Sequence, residues 1–340
     1  MNPIRQEQLL NWLRSVLNDS TIQRLQPASS DASFRSYHRI DSRGSSLVVM
    51  DAPPEHEDIR PWLSINQRLR AANLNAPEVM AANPEHGFVL MADLGHTPYL
   101  DVLDAGSRDQ LYGDALDALL RMQTVADASG LPEYDAQRLR QELDLFPDWF
   151  LRRHLGVEPD AAALALIERC FARLIESALE QPQVFVHRDY HSRNLMRLAQ
   201  GNPGIIDFQD ALRGPITYDL VSLLRDCYIA WPEAEVQALA NQYRDRLART
   251  DRIGERELRF KRWFDLMGVQ RHLKVLGIFC RLYYRDGKPQ YLKDLPLTLK
   301  YVLDVVGRSK ELAPFATWLA ALVGETDITR PRPLDVASLA

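Results

Sequence analysis

The sequence predicts an α+β protein with a small β-rich N-terminal lobe over residues 1–93 and a larger, mostly helical C-terminal lobe over residues 94–340. Short β-like runs follow one another in the first part of the chain, and amphipathic segments of helical length dominate after Pro98. One β-like island interrupts the helical part. At 340 residues, 46% of them hydrophobic, the chain can bury a core without disulfides.

The small lobe is predicted to begin with a helix, because apolar residues recur at helical spacing from Ile4 to Leu17. Pro53 and Pro54 then interrupt the chain, and a second helix is expected over 57–72. Strands are predicted over 22–27, 34–40, 46–51, 78–82 and 87–91.

The larger lobe is predicted from its periodicity and from the island. Helices are expected over 107–126, 137–154, 160–180, 232–249, 255–279 and 296–323. The strands of the island are expected over 184–187, 195–198 and 204–207. The tail over 326–340 contains two prolines and is expected to wrap the surface or fray.

Composition excludes several classes of protein. Forty-one Lys and Arg against 46 Asp and Glu give a net charge of -5, which argues against nucleic-acid binding. Cys170, Cys227 and Cys280 lie far apart, so the sequence predicts buried packing and neither a disulfide nor a zinc site. No apolar signal core and no run of about 18 apolar residues occurs, so we expect a cytoplasmic protein without membrane contact. Nothing implies an obligate protein partner.

The segment with the most chemical information reads His-Arg-Asp-Tyr-His-Ser-Arg-Asn over residues 187–194, followed by Ile-Ile-Asp-Phe-Gln-Asp over 205–210. Asp189 and Asn194 share one loop between predicted strands, and Asp207 ends the next strand. Two carboxylates and an amide oxygen are expected to converge there. Such oxygen ligands suit Mg²⁺ held partly by substrate phosphates, and one carboxylate is left to receive a proton from an attacking hydroxyl.

This pattern resembles the catalytic and metal-binding loops of the protein-kinase-like fold, in the form found in the aminoglycoside phosphotransferase and choline kinase superfamily. A Gly-Pro-Ile-Thr-Tyr-Asp-Leu run over 214–220 continues the resemblance, which covers most of the chain. The resemblance implies ATP and Mg²⁺ as cofactors. It makes Asp189 the catalytic base, Asn194 and Asp207 the Mg²⁺ ligands, and His187 and Asp219 the braces of the catalytic loop.

The small lobe departs from the family pattern in two places. The phosphate-binding loop between the first strands has no glycine, although Ser29, Ser30 and Ser33 can still offer amides and hydroxyls. Met50 stands near the position of the usual phosphate-binding lysine, and no lysine precedes residue 261. Either an arginine replaces that lysine, with Arg35 the first candidate and Arg39 the second, or ATP is held without this contact.

The run over 87–95 resembles the family's hinge, where backbone groups meet the adenine edge. On that interpretation Val48 and Met91 line the adenine pocket, and Asp93, which ends the hinge strand, is a third nucleotide-binding residue of the hinge.

The substrate is predicted from the polar residues near the catalytic loop and later in the chain. His191, Arg193, Arg281 and Tyr284 make a basic and aromatic set, which suits a neutral or anionic hydroxylated substrate. Three further runs, over 29–37, 48–55 and 281–291, resemble the bacterial anomeric sugar kinases that phosphorylate N-acetylmuramate and N-acetylglucosamine at C1 during peptidoglycan recycling. That family also lacks the lysine.

Three hypotheses follow. The first is an ATP-dependent anomeric kinase of N-acetylated amino sugars. The second is an aminoglycoside or amino-alcohol kinase of the same fold, which the basic set disfavours. The third is a nucleotide-binding regulatory pseudokinase, suggested by Met50 and opposed by the intact acid and metal ligands.

Overall fold

The computed structural model of the chain describes residues 2–29, 35–250, 253 and 259–331. These residues belong to two compact units, each made of two stretches of chain. Within those limits the first unit extends over Met1–Asp127 and Arg193–Asp210, and the second over Ala128–Ser192 and Ala211–Ala340.

Helices and short strands alternate along the chain. The helices are α1 (Pro3–Leu17), α2 (Arg60–Ala71), α3 (Arg108–Val125), α4 (Ala136–Leu143), α5 (Ala161–Leu179), α6 (Tyr218–Leu224), α7 (Glu233–Ala248), α8 (Phe260–Tyr284), α9 (Leu295–Val306) and α10 (Ala313–Val323). A π-helical segment, Phe146–Leu155, follows α4, and 3₁₀ turns occur at Tyr99–Asp101 and Pro289–Asp294. The strands are β1 (Gln26–Ser29), β2 (Ser36–Ser42), β3 (Ser45–Asp51), β4 (Val79–Asn83), β5 (Phe88–Ala92), β6 (Gln183–Val186), β7 (Leu195–Met196), β8 (Gly204–Ile205) and β9 (Leu212–Pro215).

The first unit is built on an antiparallel sheet with the strand order β1-β2-β3-β5-β4. Because successive side chains of a strand point to opposite faces, the sheet has two distinct surfaces. Leu47, Val49 and Leu90 point to one face and pack with α1 in a common apolar core. Val48 and Met91 are cross-strand partners on the other face. That second face is therefore the one available for a ligand.

The first unit also contains α3 and the hairpin of β7 and β8. The N–H of Arg197 donates to the carbonyl of Thr97 (2.8 Å), and the N–H of Ile205 donates to that of Asn75 (2.9 Å). These bonds tie the hairpin to chain before and after the predicted lobe boundary. The first unit therefore continues past residue 93. The division into two lobes at that residue stays a prediction.

The second unit surrounds α8, which packs against α5, α6, α9 and the π-helical segment. Gly277 allows the closest approach, because a Cβ atom there would lie 2.3 Å from the carbonyl oxygen of Leu145. The three cysteines are buried and form no disulfide, as the sequence predicts.

Several predicted elements have different limits in the structure. The helix predicted over 137–154 is α4 followed by the π-helical segment, and the one predicted over 296–323 is α9 and α10. The break between α9 and α10 begins at Gly307. Glycine weakens a helix because its backbone loses more freedom on folding. The helix predicted over 255–279 continues to Tyr284, the last residue of α8, and residues 255–258 of that prediction lie outside the described part of the chain.

The predicted β island is divided in the structure. β7 and β8 pair with each other, whereas β6 pairs with β9 in the second unit. The sequence pattern missed β9, because its Leu-Arg-Gly-Pro run contains two residue types that are rare in strands. It also missed α6, which is short. Among the described residues, no helix is both long and apolar enough to cross a membrane.

Candidate active site

The catalytic loop, residues 187–192, follows β6 in the second unit and is fixed by one buried carboxylate. Asp219, at the start of α6, accepts hydrogen bonds from the N–H groups of His187 (2.7 Å) and Arg188 (3.0 Å). Burial raises the pKa of Asp219 to about 7, against the lowering effect of these two bonds. Arg188 has a φ of 80°, a costly conformation for a residue with a side chain. Asp219 therefore stabilises a strained turn directly before Asp189.

The His187 ring supports the same turn from inside. It is buried and packs edge-on against Tyr190, with 5.7 Å between ring centroids. Its Nδ1 accepts a hydrogen bond from the N–H of Asp189 (3.3 Å). The backbone of Asp189 is consequently held on both sides, and its side chain remains 40% exposed.

The carboxyl group of Asp189 lies in a cationic environment. Burial raises its pKa, but the charges of Lys274, Arg271, His191 and Arg188 outweigh burial and lower the pKa to about 2. Arg271 Nη1 lies 4.0 Å from Asp189 Oδ1. At neutral pH this carboxylate is therefore ionised and able to accept a hydrogen bond from a hydroxyl group.

A buried ion cluster lies behind Asp189, and the sequence analysis missed it. Glu142 of α4 binds Lys274 Nζ (2.9 Å) and Arg188 Nη2 (2.5 Å), and it accepts a hydrogen bond from Tyr134. Lys274 Nζ also donates to the hydroxyl of Tyr218 (3.0 Å). Burial raises the pKa of Glu142, but Lys274 and Arg188 outweigh it and hold the pKa below its usual value. The available signal was Lys274, a charged residue in the long, mostly apolar middle part of α8.

A second missed carboxylate holds the end of the loop. Asp226 is buried, and its Oδ2 accepts hydrogen bonds from the N–H (3.0 Å) and the hydroxyl (2.5 Å) of Ser192. Its Oδ1 accepts one from the N–H of Tyr228 (3.0 Å). Asp219 and Asp226 thus hold opposite ends of the catalytic loop.

Asn194 and Asp207 lie together in the first unit. Asn194 Nδ2 donates to Asp207 Oδ2 (3.2 Å), and Gln209 Nε2 donates to Asp207 Oδ1 (2.8 Å). Asp207 has a φ of 62°, and the neighbouring Phe208 ring lies 5.0 Å from Trp62 of α2. The strained backbone is thus anchored by aromatic packing.

This pair fits a Mg²⁺ ion. Carboxylate and amide oxygens are hard ligands, and Mg²⁺ in phosphoryl-transfer sites binds one or two carboxylates together with water and substrate phosphates. Among the described residues, no group of three or more His, Cys, Asp or Glu side chains could hold a metal ion. A magnesium ion at Asn194 and Asp207 would therefore need phosphate oxygens to complete its coordination.

The predicted nucleotide-binding residues lie along the sheet. Val48 is half-buried and pairs with buried Met91 on the ligand-facing surface. Met50 is fully buried on the same surface, and its cross-strand neighbours are Tyr37 and Val89. The position of the usual lysine is therefore filled by an apolar side chain.

Arg35 and Arg39, the two candidate replacements, have different partners. Arg35 is 7% exposed, and its Nε lies 3.4 Å from Glu57 Oε1. Arg39 forms an ion pair with Asp93 (2.8 Å) and donates to the carbonyl of Gly95 (2.5 Å). Both of these partners of Arg39 lie in the hinge segment. Arg35 is therefore the stronger candidate for the phosphate contact.

The remaining predicted nucleotide-binding residues are Asp93 and the three serines. Asp93 also accepts hydrogen bonds from the Ser46 hydroxyl (2.6 Å) and the Gly95 N–H (2.9 Å). Ser29 ends β1, whereas Ser30 and Ser33 lie outside the described residues.

The chain matches the model of a known family over residues 24–259, and the description of that family is phosphotransferase enzyme family. The chain belongs to this family. The match confirms the superfamily resemblance that the catalytic-loop residues indicated.

Relatives of this phosphotransferase are similar over nearly their whole length. Proteins named N-acetylmuramate/N-acetylglucosamine kinase from Pseudomonas aeruginosa and Pseudomonas putida are 48% and 44% identical to it, over 94% of this chain and 97% of each relative. A protein of the same name from Neisseria meningitidis is 43% identical, over 95% of this chain and 98% of the relative.

Solved structures share the fold at low sequence identity. A choline kinase from Streptococcus pneumoniae matches with a TM-score of 0.59 at 12% identity, over 88% of this chain and 99% of that one. An ADP-bound aminoglycoside phosphotransferase matches with a TM-score of 0.58 at 15% identity, over 88% and 98%. These matches confirm the predicted α+β, protein-kinase-like fold class.

The four predicted substrate residues of this phosphotransferase have different neighbours in the structure. Arg193 belongs to the first unit, and His191 packs against Tyr228 in the second, with 5.4 Å between ring centroids. The hydroxyl of Tyr284 lies 3.2 Å from His154 Nδ1. Of the three that belong to the second unit, only Arg281 lines the polar cavity beside Arg188 and Lys274.

Proposed function

We propose that this phosphotransferase is an ATP-dependent kinase that phosphorylates the C1 hydroxyl of N-acetylmuramate and N-acetylglucosamine. The observation that carries the proposal is the 43–48% identity, over nearly the full length of both chains, to proteins named for these two sugars. The positive charge around the catalytic loop also favours a neutral or anionic sugar over a polycationic aminoglycoside.

In the proposed reaction, the C1 oxygen forms a bond to the γ-phosphorus of ATP while the bond between that phosphorus and the β,γ-bridging oxygen breaks. ADP leaves, and the hydroxyl proton passes to Asp189 and then to solvent. A carboxylate with a pKa of about 2 is a weak base. Because phosphoryl transfer passes through a loose transition state, Asp189 acts mainly by orienting the hydroxyl and accepts its proton late.

Asn194 and Asp207 are proposed to hold Mg²⁺. When bound, the ion would neutralise charge on the β- and γ-phosphates. The hydrogen bonds of Asp207 to Asn194 and Gln209 orient its carboxylate before nucleotide arrives.

Arg35 is proposed to take the part of the missing lysine. In protein kinases a lysine contacts the phosphates and is oriented by a glutamate. The ion pair of Arg35 with Glu57 supplies the same two charges from different positions.

Val48 and Met91 are proposed to contact adenine, with Asp93 bracing the hinge. The amides and hydroxyls of Ser29, Ser30 and Ser33 are proposed to contact phosphate. An ADP-bound structural neighbour supports a nucleotide in this fold.

His191, Arg193, Arg281 and Tyr284 stay predicted substrate residues, and His187 and Asp219 are proposed to position Asp189. The cytoplasmic location and the absence of nucleic-acid, membrane and obligate protein partners stay predictions.

The proposal is tested by incubating the protein with MgATP and a panel of acceptors, with ³¹P NMR of the products. The panel contains N-acetylmuramate, N-acetylglucosamine, choline and an aminoglycoside, and Asp189→Asn serves as the inactive control. A glycosyl 1-phosphate formed from the two sugars is the expected product. A phosphorylated aminoglycoside or phosphocholine would favour the second enzyme class, and nucleotide binding without turnover would favour a pseudokinase.

A further inference from the structure

The second unit contains a polar cavity of about 240 Å³ beside the catalytic loop. Pockets that hold a whole ligand are usually larger, about 300–1,000 Å³, so this one suits a single substituent. Its polar lining comes from α4 and the segment before it, the catalytic loop and α8, and comprises Tyr134, Arg138, Gln141, Glu142, Arg188, Lys274 and Arg281. Leu145, Leu212 and Ile278 supply the apolar walls.

The charges of this lining do not cancel. Four cations face one carboxylate, and Glu142 is already paired with Lys274 and Arg188. Among the residues that the structure describes, Arg138 and Arg281 form no ion pair, and the buried Nε of Arg281 has no hydrogen-bond acceptor. Burial and the neighbouring Arg285 lower the pKa of Arg281, and the charge of Asp286 raises it by less. The cavity therefore has two cations free to bind an anion.

The chemistry of the lining specifies the anion. Guanidinium groups bind carboxylates through paired N–H donors, and the aliphatic walls suit a short hydrocarbon stem. N-acetylmuramate differs from N-acetylglucosamine by a lactyl ether, which is a methyl-bearing carbon with a carboxylate. The cavity has the size, the charge and the apolar walls for that substituent.

We propose that this cavity is the carboxylate subsite of the sugar site and that Arg281 and Arg138 bind the lactyl carboxylate of N-acetylmuramate. This inference rests on the proposed function, because it assumes that both sugars are substrates. Arg188 and Lys274 line the subsite and also act on Asp189, so an acidic sugar held there lies beside the catalytic carboxylate. N-acetylglucosamine has no lactyl group, so water fills the subsite when this sugar binds.

The test compares the kinetics of both sugars in single variants. Arg281→Ala and Arg138→Ala should raise the KM for N-acetylmuramate, on the order of tenfold for Arg281→Ala, which corresponds to the loss of one charged contact. The KM and kcat for N-acetylglucosamine should stay within about twofold of wild type, which also shows that the variants fold. Arg281→Glu should lose N-acetylmuramate turnover and keep N-acetylglucosamine turnover.

Arg262→Ala is the matched control, since Arg262 lies on α8, is exposed and pairs with Glu180. It should leave both sugars unchanged. An equal loss for both sugars in Arg281→Ala, or no loss for either, would overturn the carboxylate subsite while the proposed function stands. Failure of the wild-type protein to phosphorylate either sugar would instead overturn the proposed function and this inference with it.

Discussion

Asp189 differs from an ordinary surface aspartate in two respects. Its backbone is fixed by His187 and, through the preceding residue, by Asp219, while its side chain remains 40% exposed. Its pKa of about 2 keeps it ionised throughout the range in which a kinase works. The residue is therefore suited to holding a hydroxyl in line rather than to removing its proton early.

The first prediction concerns this residue. Asp189→Asn keeps the shape of the side chain but removes its charge and its basicity, so kcat should fall on the order of 10²–10⁴-fold. The affinity for MgATP, measured by calorimetry, should change little, because Asp189 does not contact the nucleotide in the proposed site. Turnover close to wild type would show that another group orients the hydroxyl.

The second prediction concerns the proposed metal ligands. Asp207→Ala removes the carboxylate, so Mg²⁺-dependent binding of ATP should be lost in titration calorimetry. Asp210→Ala is the control, because Asp210 is an exposed carboxylate that lies three positions after Asp207 and is not one of the proposed ligands. An unchanged MgATP affinity in Asp207→Ala would remove this metal site.

Residue order was sufficient to predict Asp189, Asn194 and Asp207 as candidates, because their spacing is specific. Glu142 and Asp226 could not be predicted in this way. Glu142 pairs with Arg188, 46 residues along the chain, and Asp226 binds Ser192, 34 residues before it. Nothing in an isolated acidic residue indicates which distant cation or amide it will meet.

At the scale of elements, α8 contributes both to the apolar core of the second unit and to the charged surroundings of Asp189. Most of its residues are buried and apolar, and the sequence predicted a helix there from that pattern. The same helix carries Arg271 and Lys274, which act on Asp189 from a distance. Helical periodicity shows that such charges are buried, but it does not show which loop packs over them.

The third prediction follows from Arg271. Arg271→Met removes one of the cations that oppose the burial of Asp189, so the pKa of Asp189 should rise. A protonated carboxyl cannot accept the substrate proton, and kcat/KM should therefore begin to fall at a higher pH in this variant than in wild type as the solution is acidified. A pH–rate profile measures the difference. Arg271→Lys keeps the charge and should behave like wild type, and identical acid limbs in all three proteins would contradict the electrostatic account.

The sheet of the first unit is the second element that positions candidate site residues. Cross-strand pairing places Tyr37, Met50 and Val89 on one face, and the strand alternation extends to Arg35 directly before β2. The sequence placed Met50 near the position of the usual lysine and made Arg35 the first candidate for an arginine that replaces it. It did not predict the ion pair with Glu57, a residue that was expected to begin a helix over 57–72 and that lies before the start of α2 in the structure.

The fourth prediction tests this pair. Arg35→Ala should raise the KM for ATP on the order of tenfold and lower kcat/KM for ATP, because a charged phosphate contact is lost. Glu57→Gln should have a smaller effect of the same kind, since Arg35 keeps its charge but loses its orienting partner. The KM for the sugar should change little in both.

Arg43→Ala is the matched control for these two variants, because Arg43 lies exposed in the turn between β2 and β3. It should leave ATP kinetics at the wild-type level. If Arg35→Ala behaves like Arg43→Ala, backbone amides and the metal must hold the phosphates without an arginine.

For the whole molecule, the sequence predicted the class of fold and the order of most of its elements, because periodicity and the catalytic-loop spacing are local signals. The pairing of β6 with β9 and the inclusion of the β7–β8 hairpin in the first unit are long-range features. They depend on which surfaces pack together, and no local pattern in the chain records that.

The central claim is that this phosphotransferase acts on the anomeric hydroxyl of N-acetylated amino sugars. N-acetylglucosamine labelled with ¹³C at C1 tests it most directly, with MgATP as donor and NMR of the product. We predict that the C1 resonance becomes split by coupling to ³¹P and that the reducing end disappears as ADP accumulates. An unsplit C1 resonance together with phosphorus coupled to another position of the ring would contradict the claim.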